Sequence, residues 1–278
     1  MENLRIDSSQ RPRLKINRTK EIRRVEKTTR RKKHSCRRER DMAVRINAMA
    51  VTFVAHALAV IAAIMLVNWV FDDDESGNSN FGSNSPLLHP VLMLIGFIIL
   101  GGEAIISYKS LPLEKPVKKL IHLILHAIAL ALGIFGICAA FKNHNESHIP
   151  NLYSLHSWIG IGVISLYGFQ WVYSFIVFFF PGGSTNLKSG LLPWHAMLGL
   201  FVYILAVGNA ALGFLEKLTF LENGGLDKYG SEAFLINFTA IITILFGAFV
   251  VLTASAESPS PSPSVSNDDS VDFSYSAI

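Results

Sequence analysis

The sequence predicts an all-α membrane protein with six transmembrane helices. Half of its 278 residues are hydrophobic, and a mean hydropathy of +0.37 is too high for an ordinary soluble domain. Six apolar runs are long enough to cross a hydrocarbon core about 30 Å thick. None alternates apolar and polar residues as a strand would, and open sheet edges cannot face lipid. The runs cover residues 44–71, 89–109, 119–141, 156–180, 193–214 and 233–254.

The segments outside these runs differ sharply in charge and composition. Residues 1–42 hold 16 of the 25 Lys and Arg residues and lack the apolar segment of a signal peptide. We expect a basic, disordered cytoplasmic tail there; attraction to anionic lipid and an extension before a true start at Met42 are the alternatives. Residues 43–254 form the membrane domain. Residues 255–278 are rich in Ser and Pro, which predicts a second disordered cytoplasmic tail.

The basic residues of the loops predict how the spans are oriented. The loops after the second and fourth spans carry lysines on the same side as the basic tail, whereas the opposite loops are acidic or balanced. By the positive-inside rule both termini lie in the cytoplasm, and the far side is lumenal or extracellular. The sequence does not distinguish a vacuolar membrane or other endomembrane from the plasma membrane.

Histidines are concentrated at the ends of the predicted spans. His89 and His156 begin the second and fourth spans on the far side; on the cytoplasmic side, His122 and His126 begin the third span and His195 begins the fifth. Ionisable side chains are costly in lipid and are usually functional there. Their depths predict a far-side pair, His89 with His156, and a near-side pair, His195 with His122 or His126. Across a four-helix core of helices 2–5, such pairs suit bis-histidine ligation of two haems.

Each of these four helices also has a glycine on the face of its histidine. Offsets of four, seven or eleven residues share one helical face, so a missing side chain there leaves room for a flat macrocycle. Close packing between helices is the alternative explanation. The four glycines are Gly96, Gly133, Gly160 and Gly199.

Zinc binding and proton relay are two alternative roles for the histidines. Structural zinc needs four ligands that converge on one point, whereas these pairs lie at opposite ends of spans about 30 Å long. A proton relay favours acidic groups in mid-span, and Glu103 is the one candidate.

The sequence has no CxxCH motif, which argues against covalent haem attachment.

Five motifs are distributed along the chain between its tails. In order they are LHPVLMLIGFIILGGEA, KPVKKLIHLILHAIAL, NLYSLHSWIGIGVISLYGFQW, FFFPGGS and LPWHAMLGLFVYILAVGNAALGFLEK. Together they resemble the cytochrome b561 family, and its plant ascorbate ferrireductases in particular. The resemblance runs from residue 43 to residue 253. It implies a homodimer of six-helix chains, each with two haems b held non-covalently.

The resemblance also implies a function, that of a transmembrane oxidoreductase. Electrons from cytosolic ascorbate would pass through two bis-histidine haems b to monodehydroascorbate or a ferric chelate on the far side. The alternative is a six-span transporter or channel without haem. A subunit of a larger redox complex is a third hypothesis. No nucleic-acid partner is expected.

The family pattern implies which histidines pair and which are structural. It assigns His122 and His195 to the cytosolic haem, and His89 and His156 to the lumenal haem. His126 is then a structural neighbour one turn deeper. A structural role is also what we expect of His56, in the first span, outside the four ligand helices.

Other positions match family sites for ascorbate, haem and the acceptor. Lysines in a cytosolic site would raise the local concentration of the ascorbate anion; Lys118 we attribute to the positive-inside rule instead. The matching ascorbate-site residues are Lys115, Lys119 and Lys188. The matching haem contacts are Lys109, Tyr153, Ser154 and Glu216, and His144 matches a lumenal histidine near the acceptor.

Overall fold

The computed structural model describes residues 10–75 and 87–256, and these residues form helices joined by short loops without any strand. Six helices are long and apolar enough to cross a membrane, which confirms the predicted number of spans. The first is α1, Gln10–Glu75, whose apolar part is Met49–Phe71. The others are α2 (Leu88–Ser110), α3 (Lys115–Glu146), α4 (Leu155–Phe179), α5 (Thr185–Asn223) and α6 (Ser231–Ser255).

The chain divides into two compact units, residues 1–47 and residues 48–278. Within the first unit, residues 10–47 are helical. The disorder expected for the basic tail stays a prediction. Arg, Lys and Glu have high helix propensity, and oppositely charged side chains four residues apart support a helix further. The expected tail of residues 257–278 lies outside the described residues.

Helices α2–α5 form the four-helix core that the sequence predicted. Each helix of this core packs against the next, and α5 returns to pack against α2. Helix α6 lies outside this ring, against α5 and α2. Large apolar side chains fill the interior, among them Phe97, Val163, Val202 and Phe214. We call the end where α2 and α4 begin the far end, and the end where α3 and α5 begin the near end.

Two of the helices contain wider turns with i→i+5 hydrogen bonds, at Leu92–Ile99 in α2 and at Phe175–Phe179 in α4. A wider turn changes which residues share a helical face. Gly96 lies inside the first of these segments, and a Cβ on Gly96 would come within 2.6 Å of the Cβ of Leu132. The missing side chain of Gly96 therefore lets α2 and α3 pack closely. For this glycine, close helix packing is the explanation that fits, and room for a macrocycle is not.

Helices α3 and α5 extend beyond the predicted spans by four to nine residues at each end. The polar flanks look like loops in a hydropathy pattern, yet they continue the helix outside the apolar segment. Gly225, in the left-handed conformation with a φ of +103°, follows the C-terminus of α5. As a result, His144, Glu216 and Lys217 lie on helical turns at the far end instead of in loops.

Candidate functional site

His89 of α2 and His156 of α4 face each other at the far end, with their ring centres 6.1 Å apart. The Nδ1 of His89 lies 2.9 Å from the carbonyl oxygen of Gly136, and the Nδ1 of His156 lies 2.9 Å from that of Asn209. A carbonyl oxygen only accepts, so each Nδ1 carries the proton and donates. Each Nε2 therefore keeps its lone pair for a metal.

His122 of α3 and His195 of α5 form the second pair at the near end, with ring centres 6.2 Å apart. The Nδ1 of His122 donates to the carbonyl oxygen of Ala104 over 2.9 Å. The Nδ1 of His195 lies 2.9 Å from the hydroxyl of Ser174 and 3.4 Å from the amide nitrogen of Gln170. The hydroxyl oxygen can accept a hydrogen bond from Nδ1–H. The lone pair of Nε2 is then available for a metal, as in the other three histidines.

The separation of the two rings in each pair suits one metal ion between them. Two metal–nitrogen bonds of about 2 Å, with about 1.1 Å from each nitrogen to its ring centre, place the centres about 6 Å apart. Within the described part of the chain, no three or more His, Cys, Asp or Glu side chains converge on a common point. The arrangement therefore fits two two-ligand sites better than a tetrahedral zinc site.

His126 also lies at the near end, where the sequence left it as an alternative ligand. Its ring centre is 4.3 Å from that of His122, and its Nδ1 is hydrogen-bonded to the hydroxyl of Tyr167. The ring of His122 is the one that faces His195 across the core. This geometry favours His122 as the partner of His195.

A cavity of about 610 Å³ opens at the far end beside His89 and His156. His144, from the last turn of α3, lines the same cavity and is thus within the region where an acceptor would approach. Gly160 also lines the cavity, as expected if its missing side chain leaves room for a ligand on the face of His156. The far end therefore has both a histidine pair and space beside it.

Three predicted haem-contact residues come together at the edge of this cavity. The carboxylate of Glu216 accepts hydrogen bonds from the hydroxyl of Tyr153, over 3.1 Å, and from that of Ser154, over 3.0 Å. Ser154 is also the N-cap of α4, the helix that presents His156 two residues later. The pKa of Tyr153 is raised, chiefly by partial burial and to a smaller extent by the hydrogen bond to Glu216. The phenol therefore stays protonated and donates at neutral pH.

Lysines of the predicted ascorbate site lie at the near end. Lys115 begins α3, and Lys119 follows one turn later, before His122. The ammonium of Lys119 donates to the carbonyl oxygen of Phe178, whose ring centre lies 5.4 Å from that of His195. A cation is thereby held beside the near histidine pair.

The remaining lysines divide between this site and the ends of other helices. Lys188, in the first turn of α5, has its Nζ 3.2 Å from the position of a Cβ on Gly182, in the loop that follows the last turn of α4, where Phe178 lies. Lys118 instead donates to the carbonyl oxygen of Tyr108 over 3.3 Å. Lys109 donates to backbone carbonyls at the end of α6, so its expected contact with haem stays a prediction.

Several residues beside the pairs were not identified from the sequence. A Cβ on Gly213 would lie 2.7 Å from Cε1 of His156, so only glycine admits this ring. The side-chain oxygens Asn209 Oδ1 and Gln170 Oε1 are buried beside the far and near pairs, without a hydrogen-bond partner among the described residues. Buried polar atoms are normally hydrogen-bonded, so these two oxygens mark positions where a bound ligand or water could donate to them. Polar residues inside apolar runs, such as Gln170, Ser174 and Asn209, were the available signal.

His56 and Glu103 form a hydrogen-bonded pair away from these sites. The Nδ1 of His56 lies 2.8 and 2.9 Å from the two carboxylate oxygens of Glu103. The pair connects the apolar part of α1 to α2, which is consistent with the structural role expected of His56. Glu103 is thereby paired rather than aligned with the histidines of the core.

The sequence profile of eukaryotic cytochrome b561 matches residues 88–221, a range that contains both histidine pairs. Transmembrane ascorbate ferrireductase 1 of Arabidopsis thaliana is 91% identical over 226 residues, which are 80% of this chain and 93% of that protein. The chain belongs to the eukaryotic cytochrome b561 family. Ascorbate-specific transmembrane electron transporter 1 of Zea mays is 62% identical over 72% of this chain and 86% of its own length. Plasma membrane ascorbate-dependent reductase CYBRD1 of Xenopus laevis is 36% identical over 70% of each chain.

As a cytochrome b561, the protein is a multi-pass membrane oxidoreductase that transports electrons. Haem b is the cofactor that the family implies, and the residues present fit it. Each pair offers two imidazoles at a suitable separation, with Nδ1 hydrogen-bonded and Nε2 available. The cavity leaves space beside His156 for a large flat group, and Gly213 admits the His156 ring itself.

Proposed function

We propose that this cytochrome b561 carries electrons from cytosolic ascorbate to monodehydroascorbate or a ferric chelate on the far side, through two non-covalently bound haems b. The observation that carries the proposal is the presence of two facing histidine pairs at opposite ends of one four-helix core. The relatives named as an ascorbate ferrireductase and an ascorbate-specific electron transporter support the choice of donor.

In this proposal the four histidines are the axial ligands. His89 and His156 hold the lumenal haem, and His122 and His195 hold the cytosolic haem. When bound, the two haems supply one-electron transfer in short steps across the membrane. The hydrogen bonds that Nδ1–H of His89, His122 and His156 donates to backbone carbonyl oxygens fix the tautomer and orientation of each ring. Ligation by two imidazoles would favour electron transfer over oxygen chemistry at each pair.

The near end binds ascorbate through its cations. Ascorbate is an anion, and Lys115, Lys119 and Lys188 raise its local concentration beside the near pair. Lys119 is held by the carbonyl oxygen of Phe178, which keeps its charge close to His195. The bonds of Lys109 to the end of α6 favour a role in anchoring that helix, although it matches a family haem contact.

The far end binds the acceptor. His144 lines the cavity beside His89 and can donate a hydrogen bond to an incoming acceptor. Ser154, together with Tyr153 and Glu216, forms a hydrogen-bonded edge to the cavity and fixes the start of α4. These residues would contact the lumenal haem.

The orientation and assembly are part of the proposal. Lysines at the near end support a cytoplasmic location of that end and of both termini. The membrane is a vacuolar membrane, another endomembrane or the plasma membrane, and the family resemblance favours a homodimer.

Vesicles that contain the purified protein and trapped ascorbate test this function. We expect a b-type haem spectrum that internal ascorbate reduces, and that external ferric–EDTA or monodehydroascorbate then reoxidises. Vesicles without protein are the control. A folded protein without haem absorbance, or solute flux without any redox change, would support the transporter or channel instead.

A further inference from the structure

The far cavity is lined by a lysine that has no part in the proposed electron path. Lys217 follows Glu216 on α5 and lines the cavity together with His144. Its ammonium lies over the indole of Trp69, 5.9 Å from the ring centre. Contacts of this kind between a cation and an aromatic face stabilise the charge where it is partly removed from water.

The indole of Trp69, beneath Lys217, is held in place by burial and by a hydrogen bond. Trp69 is 2% exposed, and its Nε1 donates to Glu232 in the first turn of α6 over 3.0 Å. Three helices therefore define where the ammonium stands. An ammonium has three N–H donors, so its position over the ring face is compatible with donation to an anion in the cavity.

Lys217 and Glu216 supply the two formal charges of the described cavity lining, and the ammonium of Lys217 is the one that can attract an anionic ligand. Among the described residues that line the cavity, Lys217 is the one lysine or arginine, and Glu216 is the one carboxylate. Both oxygens of Glu216 already accept hydrogen bonds, from Tyr153 and Ser154. His144 adds a second nitrogen donor to the same lining.

We propose that Lys217 binds an anionic oxygen of the electron acceptor at the far end and makes the cavity selective for anionic acceptors. The proposal rests on the proposed function, because it names the acceptor's chemical class. Monodehydroascorbate and ferric chelates of polycarboxylates both present such oxygens. Lys217 is then a binding and specificity residue, with His144 as its neighbour in the site.

Stopped-flow oxidation of the reduced full-length protein tests the proposal with two acceptors of opposite charge. Ferric–EDTA is anionic and hexaammineruthenium(III) is cationic. We expect Lys217→Gln to raise the half-saturating concentration of ferric–EDTA about tenfold and to leave that of hexaammineruthenium(III) unchanged or lower. Lys217→Arg should restore most of the affinity for the anion, because it restores the charge.

Lys228→Gln is the matched control for charge at this end of the molecule. Lys228 is 70% exposed, pairs with Glu222 at 3.9 Å, and does not belong to the cavity lining. We expect no change in this variant. Equal effects of Lys217→Gln and Lys228→Gln would contradict the proposal, since they would indicate surface charge alone. A shifted haem potential with unchanged ferric–EDTA saturation would also contradict it, and would assign Lys217 to a haem carboxylate.

Binding of gallium(III)–EDTA separates this proposal from the proposed function, because the complex is redox-inert. Equilibrium dialysis should show binding to the wild-type protein and about tenfold weaker binding to Lys217→Gln. Lack of haem or of ascorbate reduction would overturn the function. Equal gallium(III)–EDTA binding by the two proteins, or none by either, would overturn the role of Lys217.

Discussion

At the scale of single residues, the backbone of neighbouring helices orients the histidines. Three of the four predicted ligands donate from Nδ1 to a backbone carbonyl, and His195 alone has side-chain partners there, Ser174 and Gln170. A backbone carbonyl oxygen remains a hydrogen-bond acceptor whichever side chain its residue carries. Ring orientation at these three sites therefore depends on how closely the helices pack.

Gly213 tests this dependence on close packing. In Gly213→Ala the new methyl would lie 2.7 Å from Cε1 of His156, so the ring must move. Overpacking costs about 1–3 kcal/mol, and we expect haem affinity at the far pair to fall about tenfold while the near pair keeps its haem. Haem content and absorption spectra of the purified variant measure this.

Gly208→Ala is the control on the same helix, because a Cβ there meets nothing within 4 Å. It should retain both haems and be slightly more stable, since alanine favours helix over glycine. Equal haem loss in the two variants would show that helix α5 tolerates no substitution, and would remove the specific role of Gly213.

At the scale of helices, α3 links the near lysines to a ligand histidine. Lys115, Lys119 and His122 follow one another at spacings of four and three residues, which is one helical face. Lys119 contacts the last turn of α4 at Phe178, whereas Lys118 contacts the end of α2. One helix thus carries both a lysine that we propose binds the ascorbate anion and the predicted haem ligand His122.

Lys119→Gln is expected to raise the KM for ascorbate roughly fivefold with little change in kcat, because the cation acts on binding of the anion. The increase should shrink at high salt, which screens such attraction. Lys118→Gln, which removes the same charge one residue earlier, should change KM by much less. Steady-state kinetics at two ionic strengths distinguish them, and a larger effect at Lys118 would refute the assignment.

The predictable and unpredictable features of the helices have physical causes. Apolar runs and the depth of His89, His156 and His195 indicated the spans and pairs, because hydropathy and position along a helix are properties of the sequence. The polar continuation of α5 past the membrane was missed, and with it the helical setting of Lys217. The i→i+5 turns around Gly96 were not predicted, because such turns leave no simple sequence pattern; the close packing of Gly96 was one of the two explanations that the sequence left open.

At the scale of the whole molecule, one four-helix core has a histidine pair at each end. Helices α2 and α4 supply one pair, and helices α3 and α5 supply the other. Because no ligand helix contributes to both pairs, loss of one pair need not disturb the other. The hydrogen-bonded pair of His56 and Glu103, between α1 and α2, lies outside this arrangement.

Haem content per chain in single-ligand variants tests most directly whether each pair holds its own haem. We expect two haems per chain in the wild-type protein and one in His156→Ala, with the remaining haem still reduced by ascorbate. His195→Ala should also keep one haem, but its reduction by ascorbate should be slow because the near site is lost. Two haems in His156→Ala, or none in a variant whose circular dichroism shows intact helices, would contradict the assignment of one haem to each pair.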